Sequence, residues 1–294
     1  EELTRLAKEN EKIVAVTAAM TDALGLRHFF ECYPERSFDV GICEEHASVL
    51  CAAMATQGLK PYYAIYSTFL QRAFDEIIHD ICGQDLPVTF CIDRAGITGA
   101  DGETHQGVFD LSYLSFIPNL TVAIPKNIAE FRELLKLSAS YRHPLAIRYP
   151  RNGTEGRTNG VEIGKFEVLH SSMSDIIVLA AGERCISLAE NVLKEANERG
   201  VDFTLVNARF LRPLDRELLE RATQKYIVTI EDNAAIGGFG DAINRFYMGG
   251  GKCVKSFGID DTFVPHGSVP SLAQKYGLSH EKILNYILEC HARG

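Results

Sequence analysis

The chain has 294 residues, of which 46% are apolar and 23% charged, with a formal net charge of −9. That length suits two ordinary domains, at roughly 100–200 residues each, with ordinary globular cores. The negative balance argues against nucleic acid or an anionic membrane as the main partner, because both reward net positive charge. No apolar run approaches the roughly 18 residues of a membrane span, and no basic-then-apolar signal segment opens the chain. The eight cysteines form no Cys-x-x-Cys pair, so the expectation is free thiols in a reducing cytoplasm rather than zinc or disulfide chemistry. Because Glu1 stands where a methionine would start, a fragment or trimmed product is expected.

In chain order, Ile13–Thr17 reads as a buried strand, and Glu44–Gln57 as a helix stopped by Gly58. Lys60–Tyr66 reads as a strand, Leu70–Cys82 as a helix and Leu86–Ile92 as a strand. A long glycine-rich loop follows, from Arg94 to Gly107. Strand Leu120–Pro125, helix Ile128–Ser140 and strand Leu145–Tyr149 complete this series. Asn152–Gly164 is polar and glycine-rich, and residues 153–173 read as a linker. A second alternation follows, with strands near 176–180, 203–206, 226–230 and 253–257, helices at 186–199 and 216–223, and two closing helices divided by Gly277. Apolar strands alternating with amphipathic helices predict an α/β fold, with two consecutive domains of mostly parallel sheets covered by helices, at 1–152 and 174–294.

Four segments carry residues able to do chemistry. In Asp39-Val-Gly-Ile-Cys-Glu-Glu-His, a glycine turn leads Glu44 and Glu45 into a first helical turn, where they could act in a site or merely complement the helix dipole. The loop after the third strand of the first series holds Arg94, Asp101 and His105: an anion clamp, an acceptor and a proton carrier beyond a strand end, or a solvated loop. Arg148-Tyr-Pro-Arg151 places Arg151 at another strand end, where its guanidinium could fork onto a phosphate or simply decorate the surface. Tyr66, Phe69 and Arg72 mark a strand-to-helix corner that could be core packing or a platform for a flat ring. No Gly-x-Gly-x-x-Gly follows the first strand, and there is no Walker loop, Gly-x-Ser-x-Gly elbow or His-Glu-x-x-His. Ile236-Gly-Gly-Phe-Gly240 matches none of those spacings and reads as a helix entry or a close packing point.

In this order and spacing the segments resemble the pyrimidine-binding domain of the transketolase-like thiamine-diphosphate enzymes. The particular strings Ala64-Ile-Tyr-Ser-Thr-Phe-Leu-Gln-Arg72, Asp93-Arg-Ala-Gly96, Gly99-Ala-Asp-Gly-Glu-Thr-His-Gln-Gly107 and Arg148-Tyr-Pro-Arg151 are similar to those of the 1-deoxy-D-xylulose-5-phosphate synthase family. Asn207–Asp215, Thr229–Asn233 and Phe263–Ser268 are similar to its C-terminal domain, and the chain resembles the C-terminal two-thirds of such an enzyme.

The resemblance implies decarboxylation of pyruvate on thiamine diphosphate and condensation of the two-carbon unit with D-glyceraldehyde 3-phosphate. It implies that Glu44 hydrogen-bonds the aminopyrimidine ring at a cleft open to a flat heterocycle, sharing a proton from a partly buried site. Ile42, Phe69 and Arg72 match positions around that ring, and Tyr66, Arg94 and Arg151 match positions around the acceptor phosphate. Asp101 and His105 match polar residues near the reacting carbons. Glu45 stands where glutamine is common, which would put a second negative charge beside Glu44, and Asn152 stands where glycine is usual. The Gly-Asp-Gly…Asn signature of a diphosphate- and Mg2+-binding domain is not present, so that domain is expected on another stretch of protein, with these residues inactive alone. A homodimer is expected from the family. The alternatives are the C-terminal subunit of a split transketolase and a non-catalytic dimerisation or regulatory module.

Overall fold

The computed structural model describes Glu1–Arg293; Gly294, the last residue of the expected second domain, lies outside the described residues. Twelve strands build two sheets. β1 (Ile13–Thr17), β2 (Ser37–Asp39), β3 (Lys60–Tyr66), β4 (Thr89–Asp93), β5 (Thr121–Ala123) and β6 (Leu145–Arg148) run parallel in the first. β7 (Glu167–His170), β8 (Ile176–Ala181), β9 (Thr204–Asn207), β11 (Tyr226–Ala234) and β12 (Cys253–Ile259) form the second, with β7 antiparallel at its edge. β10 (Phe210–Arg212) crosses back and pairs antiparallel with β5, giving the first sheet the order β10-β5-β6-β4-β3-β1-β2.

The strands that the sequence marks most strongly are those buried on both faces. Every residue of β1, β4, β6 and β8 is buried, as a parallel sheet sandwiched between helices requires. Glu44–Thr56 forms the expected helix and buries Ala47, Ser48, Cys51, Ala52 and Ala55 at helical spacing. These are small side chains, and they let the helix lie close to the sheet.

The single helix expected over Leu70–Cys82 is instead broken. A helical turn at Ser67–Leu70 passes through a tighter 3₁₀ turn at Gln71–Ala73, a short α turn and a wide π turn at Ile77–Cys82. The changing pitch keeps Leu70, Ala73, Ile77 and Ile81 buried while Phe69 and Arg72 reach the neighbouring strand end and helix.

The segment expected as a linker, 153–173, contains β7 and so contributes to the second sheet. The two halves also share their cores. One hydrophobic cluster runs from the first sheet into Ile177, Leu179, Val206, Phe210, Phe239 and Ile243. A second, centred on β8 and β11, takes in Ile97 and Val108 from the two ends of the Arg94–Gly107 loop. All eight cysteines are free, five of them buried, and no helix among the described residues is long and apolar enough to cross a membrane.

Candidate active site

The carboxyl ends of β3, β4 and β6 deliver the polar residues to one place, as open parallel sheets do. Tyr66 is the last residue of β3, Asp93 ends β4, and Arg151 follows β6 by three residues. With Ala23, Arg94, Asp101, His105 and Asn152 they line a pocket of about 710 Å³. The structure thus brings Tyr66, Arg94, Asp101, His105 and Arg151 together at one pocket.

Arg94 organises this pocket. Its φ of 56° places a non-glycine residue in the left-handed region, a cost tolerated where surroundings over-determine the backbone. The guanidinium lies over the Tyr66 ring, 3.9 Å from its centroid, a cation–π arrangement. It contacts Asp93 Oδ1 at 3.2 Å and stands 3.7 Å from Asp101 Oδ2. Its Nε is buried with no hydrogen-bond partner, leaving a spare donor beside the pocket. Arg151, half exposed, donates to Asp101 Oδ1. Two guanidinium groups therefore point at one anionic position, which Asp101 fills.

In the sequence Asp93 stands only as part of a string, with no role of its own. It is a pocket wall, and burial pushes its carboxyl up to about 6 although Arg94 opposes the rise. The available signal was an acidic residue at the last position of an otherwise apolar parallel strand.

An aromatic stack joins this pocket to the second group of residues. Tyr66 and Phe69 stack with centroids 5.6 Å apart, and Phe69 meets the His105 ring edge-on at 5.3 Å. Glu44 stands at the start of its helix, where Tyr63 Oη donates to its backbone carbonyl at 3.1 Å. The turn before it is held by Asp39, which accepts from the amides of Ala19 and Gly41.

Glu44 does not face an open cleft as expected. Its side chain is only 3% exposed, and Arg72 is paired with it, with Nη1 at 2.9 Å from Oε2. The same guanidinium lies 3.6 Å from Glu45, so the second carboxylate is balanced by a shared cation instead of facing Glu44 alone. The Arg72 contact is close but not aligned, and Glu44 Oε2 remains a buried oxygen without a hydrogen bond. Ile42, two residues earlier, is 72% exposed, an apolar side chain standing free beside that oxygen's helix. Asn152, the other departure from the family pattern, lines the pocket without displacing Arg151. Among the described residues no three His, Cys, Asp or Glu side chains are grouped as metal ligands would be.

Two consecutive α/β domains, with a polar pocket at the strand ends of the first, are what two transketolase family models match in order. The family model described as "Transketolase, pyrimidine binding domain" matches residues 1–155, and "Transketolase, C-terminal domain" matches 164–283. The chain belongs to the transketolase family. Among curated proteins it is 44% identical over 296 residues to the 1-deoxy-D-xylulose-5-phosphate synthase of Clostridium tetani, covering 98% of this chain and 47% of that one. It is 45% identical over 292 residues to the synthase of Carboxydothermus hydrogenoformans, covering 96% of this chain and 46% of that one. The chain thus spans about half the length of these relatives, less than the two-thirds expected from its motifs. Among solved structures, a split-gene transketolase described as an inactive beta4 tetramer superposes with a TM-score of 0.88 at 29% identity, over 98% of this chain and 95% of that one. Transketolase from Pichia stipitis gives 0.81 at 19% identity, over 99% of this chain and 44% of that one, a likeness of fold alone.

Proposed function

We propose that this chain supplies the pyrimidine side of a thiamine-diphosphate site, together with the acceptor pocket, of a 1-deoxy-D-xylulose-5-phosphate synthase. The enzyme joins pyruvate to D-glyceraldehyde 3-phosphate with loss of carbon dioxide. The observation that carries this reading is the convergence of Arg94 and Arg151 on one anionic position, beside a histidine and a tyrosine. A phosphate there would receive Arg94 Nε, now unpartnered, and the fork of Arg151.

The residues around Glu44 fit the cofactor's pyrimidine ring. Glu44 Oε2 is a buried oxygen paired with Arg72 but accepting no hydrogen bond, and Ile42 and Phe69 offer apolar surface to a flat heterocycle. Arg72 is half exposed and can turn toward solvent to admit the ring. When bound, thiamine diphosphate supplies the electron sink that lets pyruvate lose its carboxylate. Glu44 would hold the pyrimidine ring through Oε2 and share a proton with it there. His105, with its ring against Phe69, moves a proton at the reacting carbons, and Asp101 orients the substrate hydroxyl. The diphosphate and its Mg2+ belong to a further domain, on the same polypeptide or on a partner, and the whole assembly works as a homodimer.

The test compares the 294 residues alone with the same residues joined to the diphosphate-binding domain. Pyruvate consumption with formation of deoxyxylulose phosphate is expected only in the assembled form; turnover by the 294 residues alone contradicts the division of labour. A second reading, a subunit of a split transketolase, is favoured by the 95% coverage of the split-gene chain. It predicts ketol transfer between sugar phosphates without release of carbon dioxide, so product analysis separates the two.

A further inference from the structure

The loop that carries Asp101 and His105 is not held by the first domain alone. Its base is closed by reciprocal backbone bonds, Gly96 N–H to Gly107 carbonyl at 2.6 Å and Gly107 N–H to Gly96 carbonyl at 2.8 Å. Immediately beyond, an ion pair of the second domain, formed by the buried Asp232 and the half-buried Arg184, takes both peptide groups of Ile97. The Ile97 N–H points between the two Asp232 carboxylate oxygens, at 3.2 and 3.3 Å. Arg184, paired with Asp232, donates from Nη2 to the Ile97 carbonyl at 3.0 Å. The Ile97 side chain, 2% exposed, sits in the second domain's core. The fit leaves no slack: a Cβ on Gly96 would lie 2.0 Å from Asp232 Oδ2.

The other end of the loop is gripped as well. Gln106 Oε1 accepts from the Thr98 N–H at 2.8 Å, and its Nε2 donates to the Pro265 carbonyl of the second domain at 3.1 Å. Between these anchors, residues 99–105 reach back over the first domain, where Asp101 meets Arg151 and His105 meets Phe69.

We propose that Asp232 is a positioning residue: through Ile97 it fixes the height and angle at which the second domain presents Asp101 and His105 to the pocket. The carboxylate never touches a substrate. It acts by leaving the loop one register, because the Asp232–Arg184 pair accepts from the Ile97 N–H and donates to the Ile97 carbonyl at the same time. A loop held only by the Gly96–Gly107 bridge would pivot about that bridge, and displacement of catalytic groups by about 1 Å can cost roughly a hundredfold in rate. The role for the second domain thus extends beyond covering the sheet. The kinetic part of this proposal rests on the synthase reading; the structural part does not.

The experiment uses the assembled enzyme with Asp232→Asn, and with Asp232→Asn combined with Arg184→Met. The single variant leaves the half-buried Arg184 without its counter-ion and costs stability; the double variant removes that charge and recovers thermal stability. Hydrogen exchange of the amides from Ile97 to His105 is measured in both, with kcat and KM for pyruvate and the aldehyde phosphate. Positioning predicts that both variants lose at least tenfold of loop protection. It also predicts that kcat/KM for the aldehyde phosphate falls about 10- to 100-fold, while thiamine diphosphate binds as before. If the double variant recovers stability, loop protection and kinetics together, the pair is only a structural brace and the proposal is overturned. Loosened amides with unchanged acceptor kinetics also overturn it. Should the parent enzyme not use these substrates at all, the synthase reading fails, and unaltered exchange of the loop in both variants would sink the positional claim separately.

Discussion

Arg151 Nη1 donates a 2.8 Å hydrogen bond to Asp101 Oδ1, joining two residues 50 apart in sequence across the mouth of the pocket. The Asp101 carboxylate is an anion that the protein itself provides for two arginines, Arg151 and Arg94. An incoming phosphate competes with it for the same donors.

Arg151→Met in the assembled enzyme removes the exposed half of this clamp. The KM for the aldehyde phosphate is expected to rise about 10- to 100-fold, as loss of a charge-assisted hydrogen bond of about 1.5–3 kcal/mol implies. The KM for pyruvate should stay within a few-fold. Arg151→Lys should recover only part of the loss, since an ammonium cannot reproduce the fork. Steady-state kinetics with each substrate varied in turn is the check, and equal effects on both would place Arg151 elsewhere.

Glu44→Gln keeps the shape of the side chain and removes its ability to exchange a proton. Turnover is expected to fall by about 10²–10⁴, the usual worth of a positioned acid–base group. Calorimetry should still register thiamine diphosphate binding. Activity within twofold of the parent would support the non-catalytic reading of this fold.

Asp110→Ala strikes a buried charge pair. Arg148 donates to both Asp110 oxygens, at 2.8 and 3.1 Å, and also reaches the carbonyls of Gly107 and Asp232. Removing one partner of such a pair leaves an uncompensated buried charge, and the expected loss is about 3–5 kcal/mol in urea denaturation. Combining it with Arg148→Met should return part of that loss.

Glu231 carries a pH signature. It is buried in β11 and accepts from the amides of Phe239 and Gly240, both at 2.7 Å; burial pushes its carboxyl up to about 8. A folded value above the ordinary 4.5 means the folded chain holds the proton more tightly. Its contribution to stability is full below 4.5, declines as pH rises through about 8, and then levels off. Glu231→Gln, with one acceptor oxygen in place of two, should be less stable than the parent at pH 5. The gap should close or reverse by pH 9, at up to about 1.4 kcal/mol per pH unit within the window. A stability difference that is flat from pH 5 to 9 would refute this account.

The parts of the fold that could be read in the sequence are those decided locally. β1 and β3 were legible to the residue because uninterrupted apolar or aromatic runs between polar ends have few other uses. The Ile236–Gly240 string, which reads as a helix entry or a packing point, is both. Gly238 caps Phe239–Tyr247, and a Cβ on Gly240 would meet Ser256 Oγ at 2.4 Å. The broken helix over 67–82 was not legible, since Leu70, Phe74, Ile77 and Ile81 keep a helical spacing whatever the pitch between them. β10 escaped for a different reason: three residues become a strand only because β5 offers them an edge. The candidate residues were identified by type and motif, but their pairing was not. Nothing in the sequence says that Asp101 occupies the arginines or that Arg72 closes over Glu44.

That borrowed strand has a consequence for how the polypeptide can be cut. Ending it within the polar stretch after Arg151 would strip β10 from β5, leaving Thr121–Ala123 with unanswered backbone groups next to newly bared apolar surface. A bare sheet margin of that kind recruits whatever extended segment is at hand, including another molecule of the same protein. The first 152 residues are therefore expected to clump when produced alone, however self-sufficient their motifs look.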